Sequence, residues 1–226
     1  MPLVTYQSLC IDAVDVAAVQ GFWASTLGYE LGEHDADVAV LRGSQPGEVV
    51  WINRVPEPRT VKQRVHIDVR AESLEPFAGL ERLTAEGQFR WTTLADPEGG
   101  EFCVFERAAD DERLRGDYRL YEIVVDSAEP RATAAWWADA LGATYGEKDE
   151  EEAWVEQIPG APFDCIVFGT VPEPKTVKNR IHWDVKTEDL QLLLDASATV
   201  VDRQPRWTVM ADPEGNEFCA FVREGG

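Results

Sequence analysis

Two short segments carry the residue types best suited to chemistry. Residues 64–70 read RVHIDVR and residues 180–186 read RIHWDVK. Successive side chains of a strand point to opposite faces. Val65, Ile67 and Val69 therefore share one face and Arg64, His66 and Asp68 the other; Ile181, Trp183 and Val185 are likewise opposed to Arg180, His182 and Asp184. A face bearing Arg, His and Asp is either solvated or the wall of a polar cavity. Two later segments behave alike: Glu101, Cys103 and Phe105 alternate with Phe102 and Val104, and Glu217, Cys219 and Phe221 alternate with Phe218 and Ala220. Glutamate beside cysteine and phenylalanine suits a pocket wall better than a solvent face. Arg64 and Arg180 can meet a ligand carboxylate or phenolate, the alternative being an ion pair with Asp68 or Asp184. Of the eight tryptophans, Trp23, Trp136 and Trp137 belong to helix faces, whereas Trp51, Trp91 and Trp207 are candidates for lining a cavity. Aromatic walls favour flat apolar ligands. There is no glycine-rich phosphate loop, CxxC pair or GxSxG elbow, so nucleotide binding and serine hydrolysis lack support.

These segments occur twice because the chain is a duplication. VPEPRTVKQRVHIDVR (55–70) matches VPEPKTVKNRIHWDVK (171–186) at eleven of sixteen positions, at an offset of 116. ADPEGGEFCVFER (95–107) recurs as ADPEGNEFCAFVR (211–223) at the same offset, and FWASTLG (22–28) answers WWADALG (136–142) at an offset of 114. Each copy is long enough for a domain with its own core. The expected division is residues 1–107, a charged linker over 108–116, and residues 117–226. Each copy alternates strand and helix signals in one order. Asp15 can cap a helix whose Val16, Val19, Phe22, Trp23 and Leu27 recur at helical spacing, and Gly28 can end it in a left-handed turn. Copy two repeats this with Pro130 in the first turn and Gly142 at the stop. Short strands lead to VPEP. A second helix is expected on Leu74, Phe77, Leu80 and Leu83, and its counterpart on Leu190, Leu193 and Leu194. The last two strands of each copy are joined through Asp-Pro-Glu-Gly, a turn sequence.

Composition narrows the function. Twenty-one basic against forty-two acidic residues give a net charge of −21, which repels phosphate backbones and anionic lipid and argues against nucleic-acid or membrane partners. The acidic run Glu147 to Glu152, interrupted by Lys148, reads as a solvated loop. Cys10, Cys103, Cys165 and Cys219 lack CxxC spacing, and Cys103 and Cys219 occupy the same place in the two copies, a pattern of inherited strand residues in a reducing compartment. The opening MPLVTYQSLC has no basic region followed by an apolar run, so neither signal peptide nor membrane span is expected and a cytoplasmic location is.

The motifs [RN]-[VI]-H-x-D-V and A-D-P-E-G-[GN]-E-F-C, with F-W or W-W before a helix-ending L-G, resemble the glyoxalase-like domain of the vicinal-oxygen-chelate superfamily over nearly all of both copies. The resemblance implies an α+β fold of two tandem domains, each built from paired βαβββ modules forming a half-open barrel around a pocket. In metal-using members the ligands come from the first strand, the fourth strand, the strand opening the second module and the final strand. Carried over, the third ligand falls on His66 and His182, the fourth on Glu101 and Glu217, and the first on Ser8 and Glu122; the fourth-strand position falls on Asn53 and Gly169, neither a strong ligand. Copy two is therefore expected to offer Glu122, His182 and Glu217 to one divalent ion (Fe, Mn, Ni or Zn), with His66 and Glu101 a weaker set in copy one. Three functions are compatible: a lyase, isomerase or dioxygenase acting on a small molecule through metal or through His182 and Glu217 as acid and base; a metal-free protein sequestering an antibiotic or other aromatic metabolite, as bleomycin-resistance proteins of the superfamily do; and a pseudoenzyme or assembly subunit. The chain is expected to be a monomer or homodimer with a small-molecule ligand.

Overall fold

The computed structural model describes residues 1–107 and 119–223; the expected linker over 108–116 lies outside them. Copy one runs β1 (Val4–Ala13), α1 (Val16–Leu27), β2 (Glu30–His34), β3 (Val38–Arg42), β4 (Val49–Arg54), then β5 (Val65–Ala71), β6 (Thr92–Ala95) and β7 (Glu101–Glu106). Copy two runs β8 (Leu120–Ser127), α2 (Pro130–Leu141), β9 (Thr144–Asp149), β10 (Glu152–Glu156), β11 (Cys165–Thr170), then β12 (Ile181–Thr187), α3 (Leu190–Asp195), β13 (Thr199–Arg203), β14 (Thr208–Ala211) and β15 (Glu217–Val222). The caps follow the sequence: the Asp15 side chain accepts from the Ala18 amide, Pro130 opens α2, and Gly28 and Gly142 adopt left-handed φ of 72° and 63°.

The second helix of copy one does not form. Only a 3-10 turn, Glu75–Phe77, is present. Gly79 interrupts the leucine spacing, and the chain beyond it lays Arg82 against Leu94 as an isolated bridge, leaving Leu83 exposed. The acidic run is likewise not a plain loop: Glu147 lies in β9 and Glu152 opens β10, with Arg131 paired to Glu147 at 2.7 Å.

The strands form two sheets, ordered β13-β14-β15-β12-β1-β4-β3-β2 and β6-β7-β5-β8-β11-β10-β9. Each sheet joins the first module of one copy to the second module of the other. The seams are antiparallel ladders, β1 against β12 with Cys10 opposite His182, and β8 against β5 with Glu122 opposite Asp68. The apolar faces of both sheets close on the helices in one continuous core. Trp23 of α1 meets Phe102 of the seven-stranded sheet at 5.7 Å, while Trp137 of α2 meets Trp183 and Phe218 of the eight-stranded sheet at 4.8 and 5.1 Å. All five are essentially without solvent contact, so truncating any one to alanine costs about 3–5 kcal/mol.

The Asp-Pro-Glu-Gly turns fasten the modules within each copy. Gly99 and Gly215, at φ of 77° and 90°, occupy a conformation open to glycine and strained for other residues. Glu98 then accepts from the Val14 and Asp15 amides ahead of α1, both at 2.7 Å. Glu214 accepts from the Ser127 hydroxyl, the Ala128 and Glu129 amides and the Thr133 hydroxyl around the start of α2. A carboxylate there satisfies orphan amides and the positive end of the helix dipole.

Because every β1 and β8 finds its long antiparallel partner in the other copy, residues 1–107 expressed alone should not persist as a folded monomer. They should elute as a dimer in which each chain's β1 pairs with its partner's β5, a state readable by analytical ultracentrifugation; a stable monomer with native far-UV dichroism would contradict this pairing.

Candidate functional site

Strand alternation places the polar side chains of each sheet on the face turned away from the helices. The eight-strand face gathers Ser8 and Cys10 from β1, Trp51 and Asn53 from β4, His182 and Asp184 from β12, and Glu217 and Cys219 from β15. The seven-strand face gathers Glu122 from β8, Cys165 and Gly169 from β11, His66 and Asp68 from β5, and Glu101 and Cys103 from β7. Glu122 thus lies with His66 and Glu101, and does not join His182 and Glu217. The expected grouping by copy is corrected because the seams exchange modules between copies.

On the eight-strand face Asp184 is satisfied by its neighbours, while among the described residues His182 Nδ1 is buried without a hydrogen-bond partner. Asp184, 2% exposed, accepts from the Ser8 hydroxyl at 2.8 Å and the Cys10 thiol at 3.4 Å. His182 Nε2 lies 3.4 Å from Cys219 Sγ. Burial lowers the His182 pKa, outweighing the nearby Asp12 and Asp184 charges, and burial raises that of Asp184. Glu217 accepts from Lys175 at 2.6 Å and from the Asn179 amide at 3.1 Å. Lys175 of the crossover segment thus occupies one Glu217 oxygen and the Asn179 amide the other.

The seven-strand face is built alike but left unbalanced. His66 Nε2 lies 3.3 Å from Asp68 and 3.7 Å from Cys103 Sγ. Burial works against its protonation, yet the charge and hydrogen bond of Asp68 prevail and hold its pKa well above the ordinary value. The Glu122 carboxyl is pushed up to about 7, first by burial, then by the charge of Asp68; the Cys165 thiol donates to it at 3.3 Å. Among the described residues His66 Nδ1, like His182 Nδ1 on the other face, is buried without a hydrogen-bond partner, and Asp68 Oδ1 meets His66 Nε2 at 3.3 Å. Glu101, among the described residues, meets the Lys62 ammonium at 3.8 Å, which sits closer to Asp126 at 2.6 Å. The donor atoms of His66, Asp68 and Cys103 lie within 4.8 Å of one another, as do those of Cys10, His182 and Asp184. The difference between the faces is Glu122 against Ser8. A buried and a partly buried carboxylate beside one imidazole fit a divalent cation; on the other face Asp184 is already capped by hydroxyl and thiol.

Arg64 and Arg180 meet neither Asp68 nor Asp184. Arg64 donates to the carbonyls of Glu173 and Asp126, and Arg180 to the Glu57 carbonyl and the Glu98 carboxylate at 2.8 Å. Each clamps the crossover segment of the other copy. Those segments, VPEPRTVKQR and VPEPKTVKNR, enclose a cavity of about 640 Å³ whose walls include Asp12, Lys62, Asp126 and Lys178. Lys62 pairs with Asp126 and Lys178 with Asp12, at the ends of the two polar faces. The lysines were not singled out from the sequence, although their recurrence in both crossover segments was visible. Trp51 is half-buried on β4, beside Cys10 in the parallel ladder. Trp91 stacks between Phe89 and Phe105, and Trp207 lies 5.9 Å from Phe221.

A glyoxalase-like domain model matches residues 8–105 and again 122–221. The chain belongs to the glyoxalase-like domain family. Its two tandem domains have solved structural relatives in glyoxalase I from Zea mays (TM-score 0.67, 12% identity, 97% of this chain and 92% of that one). A putative dioxygenase from Bacillus subtilis also matches (TM-score 0.62, 15% identity, 100% and 87%). No curated protein matches by sequence. At these identities the likeness is one of fold. Among the described residues no helix is long and apolar enough to cross a membrane.

Glu122 offers a pH signature. Its folded pKa of about 7 lies above the ordinary 4.5, so folding takes up a proton between those values. Its contribution to stability is full below pH 4.5 and is lost as pH rises through 7, on the order of 1–3 kcal/mol. His66, with a raised pKa, acts in the same direction. In chelator-treated protein the melting temperature should fall from pH 5 to 8, and Glu122→Gln should flatten much of that fall; an unchanged slope in the variant would show that Glu122 titrates normally.

Proposed function

We propose that the seven-strand face is the reaction centre of a divalent-metal-dependent enzyme acting on a small molecule with two adjacent oxygens. The observation that carries this reading is the contact of Glu122 with Asp68 beside His66, a second carboxylate where the other face has the Ser8 hydroxyl. His66, Glu122 and Glu101 would hold the ion, with Asp68 orienting the imidazole, as outer carboxylates do for metal-bound histidine. Fe(II), Mn(II), Ni(II) and Zn(II) all suit such a donor set. The ion would supply a Lewis acid that stabilises negative charge on substrate oxygens, the common requirement of lyase, isomerase and dioxygenase chemistry.

The chain's own residues would do the rest. The crossover cavity supplies an approach for substrate, and Lys62, reaching from that cavity toward Glu101, would orient an anionic group there. Four free cysteines suit a reducing compartment such as the cytoplasm. A second reading, a metal-free protein that sequesters an aromatic metabolite, is favoured by the eight-strand face, where Ser8 and Cys10 already satisfy Asp184.

Elemental analysis of untagged protein reconstituted with each of the four metals tests the first reading. One equivalent should bind per chain. Glu122→Gln and His66→Gln should each weaken retention by roughly tenfold or more, while Ser8→Ala and His182→Gln leave it unchanged. Absence of binding for all four metals, or loss of binding only in His182→Gln, would overturn it and favour the sequestration reading.

A further inference from the structure

The two polar faces, related by duplication, differ at the end remote from the crossover cavity. On the seven-strand face that end is filled by the chain itself. Phe89 stacks on Trp91 with centroids 4.9 Å apart and planes 4° from parallel, Trp91 stacks on Phe105 at 5.4 Å, and Tyr121 closes edge-on against Phe105 at 4.9 Å. Arg70 lies 4.2 Å over the Tyr121 ring and pairs with Asp164.

At the offsets of 116 and 114 the corresponding residues of the eight-strand face are Pro205 for Phe89, Trp207 for Trp91, Phe221 for Phe105, Gln7 for Tyr121, Lys186 for Arg70 and Glu48 for Asp164. The two rings that form the platform are kept, 5.9 Å apart and 30° from parallel. The two rings that cover it are gone. A cavity of about 930 Å³ stands there, walled by Gln7, Lys186, Arg206, Trp207 and Phe221. The counter-charge is gone as well: Glu48 is buried and turned to the Gln45 amide at 2.8 Å. Lys186 and Arg206 have no ion-pair partner among the described residues. Two uncompensated cations at one cavity stand out in a chain of net charge −21.

We infer that this cavity binds a planar aromatic anion, its ring stacked on Trp207 in the place Phe89 takes on Trp91, and its charge met by Lys186 and Arg206. The seven-strand face shows, in the same scaffold, that the platform accepts a parallel ring. Stacking supplies the attraction for a flat face, and the cations select a carboxylate or similar oxyanion. The site is separate from the proposed metal centre and needs no metal.

Calorimetric titration of the full chain with 1-naphthoate, in the presence of a chelator, tests this independently of the metal reading. One site is expected. Trp207→Ala should weaken it by roughly tenfold, and Lys186→Gln with Arg206→Gln by roughly tenfold or more, while Trp91→Ala leaves it unchanged. Naphthalene-1-methanol, flat but neutral, and cyclohexanecarboxylate, anionic but not flat, should bind at least about tenfold more weakly. The double substitution Gln7→Tyr with Pro205→Phe supplies the missing rings and should abolish binding, a readout that stands even where Trp207→Ala fails to fold. No saturable binding of 1-naphthoate would overturn the inference. So would binding that survives both Trp207→Ala and the double substitution, equal binding of the neutral analogue, or a Trp207-dependent dimer of the ligand-free chain, which would assign the platform to a second copy.

Discussion

Where β1 runs antiparallel to β12, Cys10 faces His182 and Ser8 faces Asp184; where β8 runs antiparallel to β5, Val124 faces His66 and Glu122 faces Asp68. A long strand with one edge unpaired is costly and aggregation-prone, and these seams remove that edge from each first module by borrowing the second module of the other copy. The consequences reach every part of the molecule. Each polar face becomes composite, each crossover segment must span from one sheet to the other, and the helices are caught between the two apolar faces. The glutamates of the Asp-Pro-Glu-Gly turns, bound at the helix starts, then hold together the two modules that sequence joins but the sheets separate.

Composite faces explain how duplication yields asymmetry from few substitutions. A carboxylate at 122 presses a second anion toward Asp68, whereas a hydroxyl at 8 neutralises the demands of Asp184. At the far end of the same faces the pattern inverts: Tyr121 and Phe89 fill one platform, Gln7 and Pro205 leave the other open. In one face a second carboxylate meets Asp68 and the remote end is covered; in the other a hydroxyl meets Asp184 and the remote end is open. Such division is what two copies permit when each site draws on both, since a change in one copy alters one face only.

Much of this was legible in the sequence, for local reasons. Period-two alternation assigned His66, Asp68, His182 and Asp184 to the polar faces, and cap chemistry located Asp15, Gly28, Pro130 and Gly142 at helix ends. Module pairing was not legible. The segments 64–70 and 180–186 present the same apolar and polar faces, so β1 could pair with either on local pattern alone, and only the geometry of the whole chain separates the alternatives. That ambiguity grouped Glu122 with His182 and Glu217. The alternative ion pairs of Arg64 with Asp68 and Arg180 with Asp184 do not form for a related cause: each arginine instead reaches a backbone carbonyl of the other copy's crossover segment, which carries no side-chain signature. The helix expected from Leu74 to Leu83 failed because leucine spacing outweighed Gly79 in the reading, but not in the chain.

The central claim is that the metal centre is shared between copies, with His66 from one and Glu122 from the other. Anomalous diffraction from crystals grown with Mn(II) measures it directly. The account predicts a single strong peak within coordination distance of both His66 and the Glu122 carboxylate, and none beside His182; a peak bonded to His182 and Glu217 with none near Glu122 would contradict it.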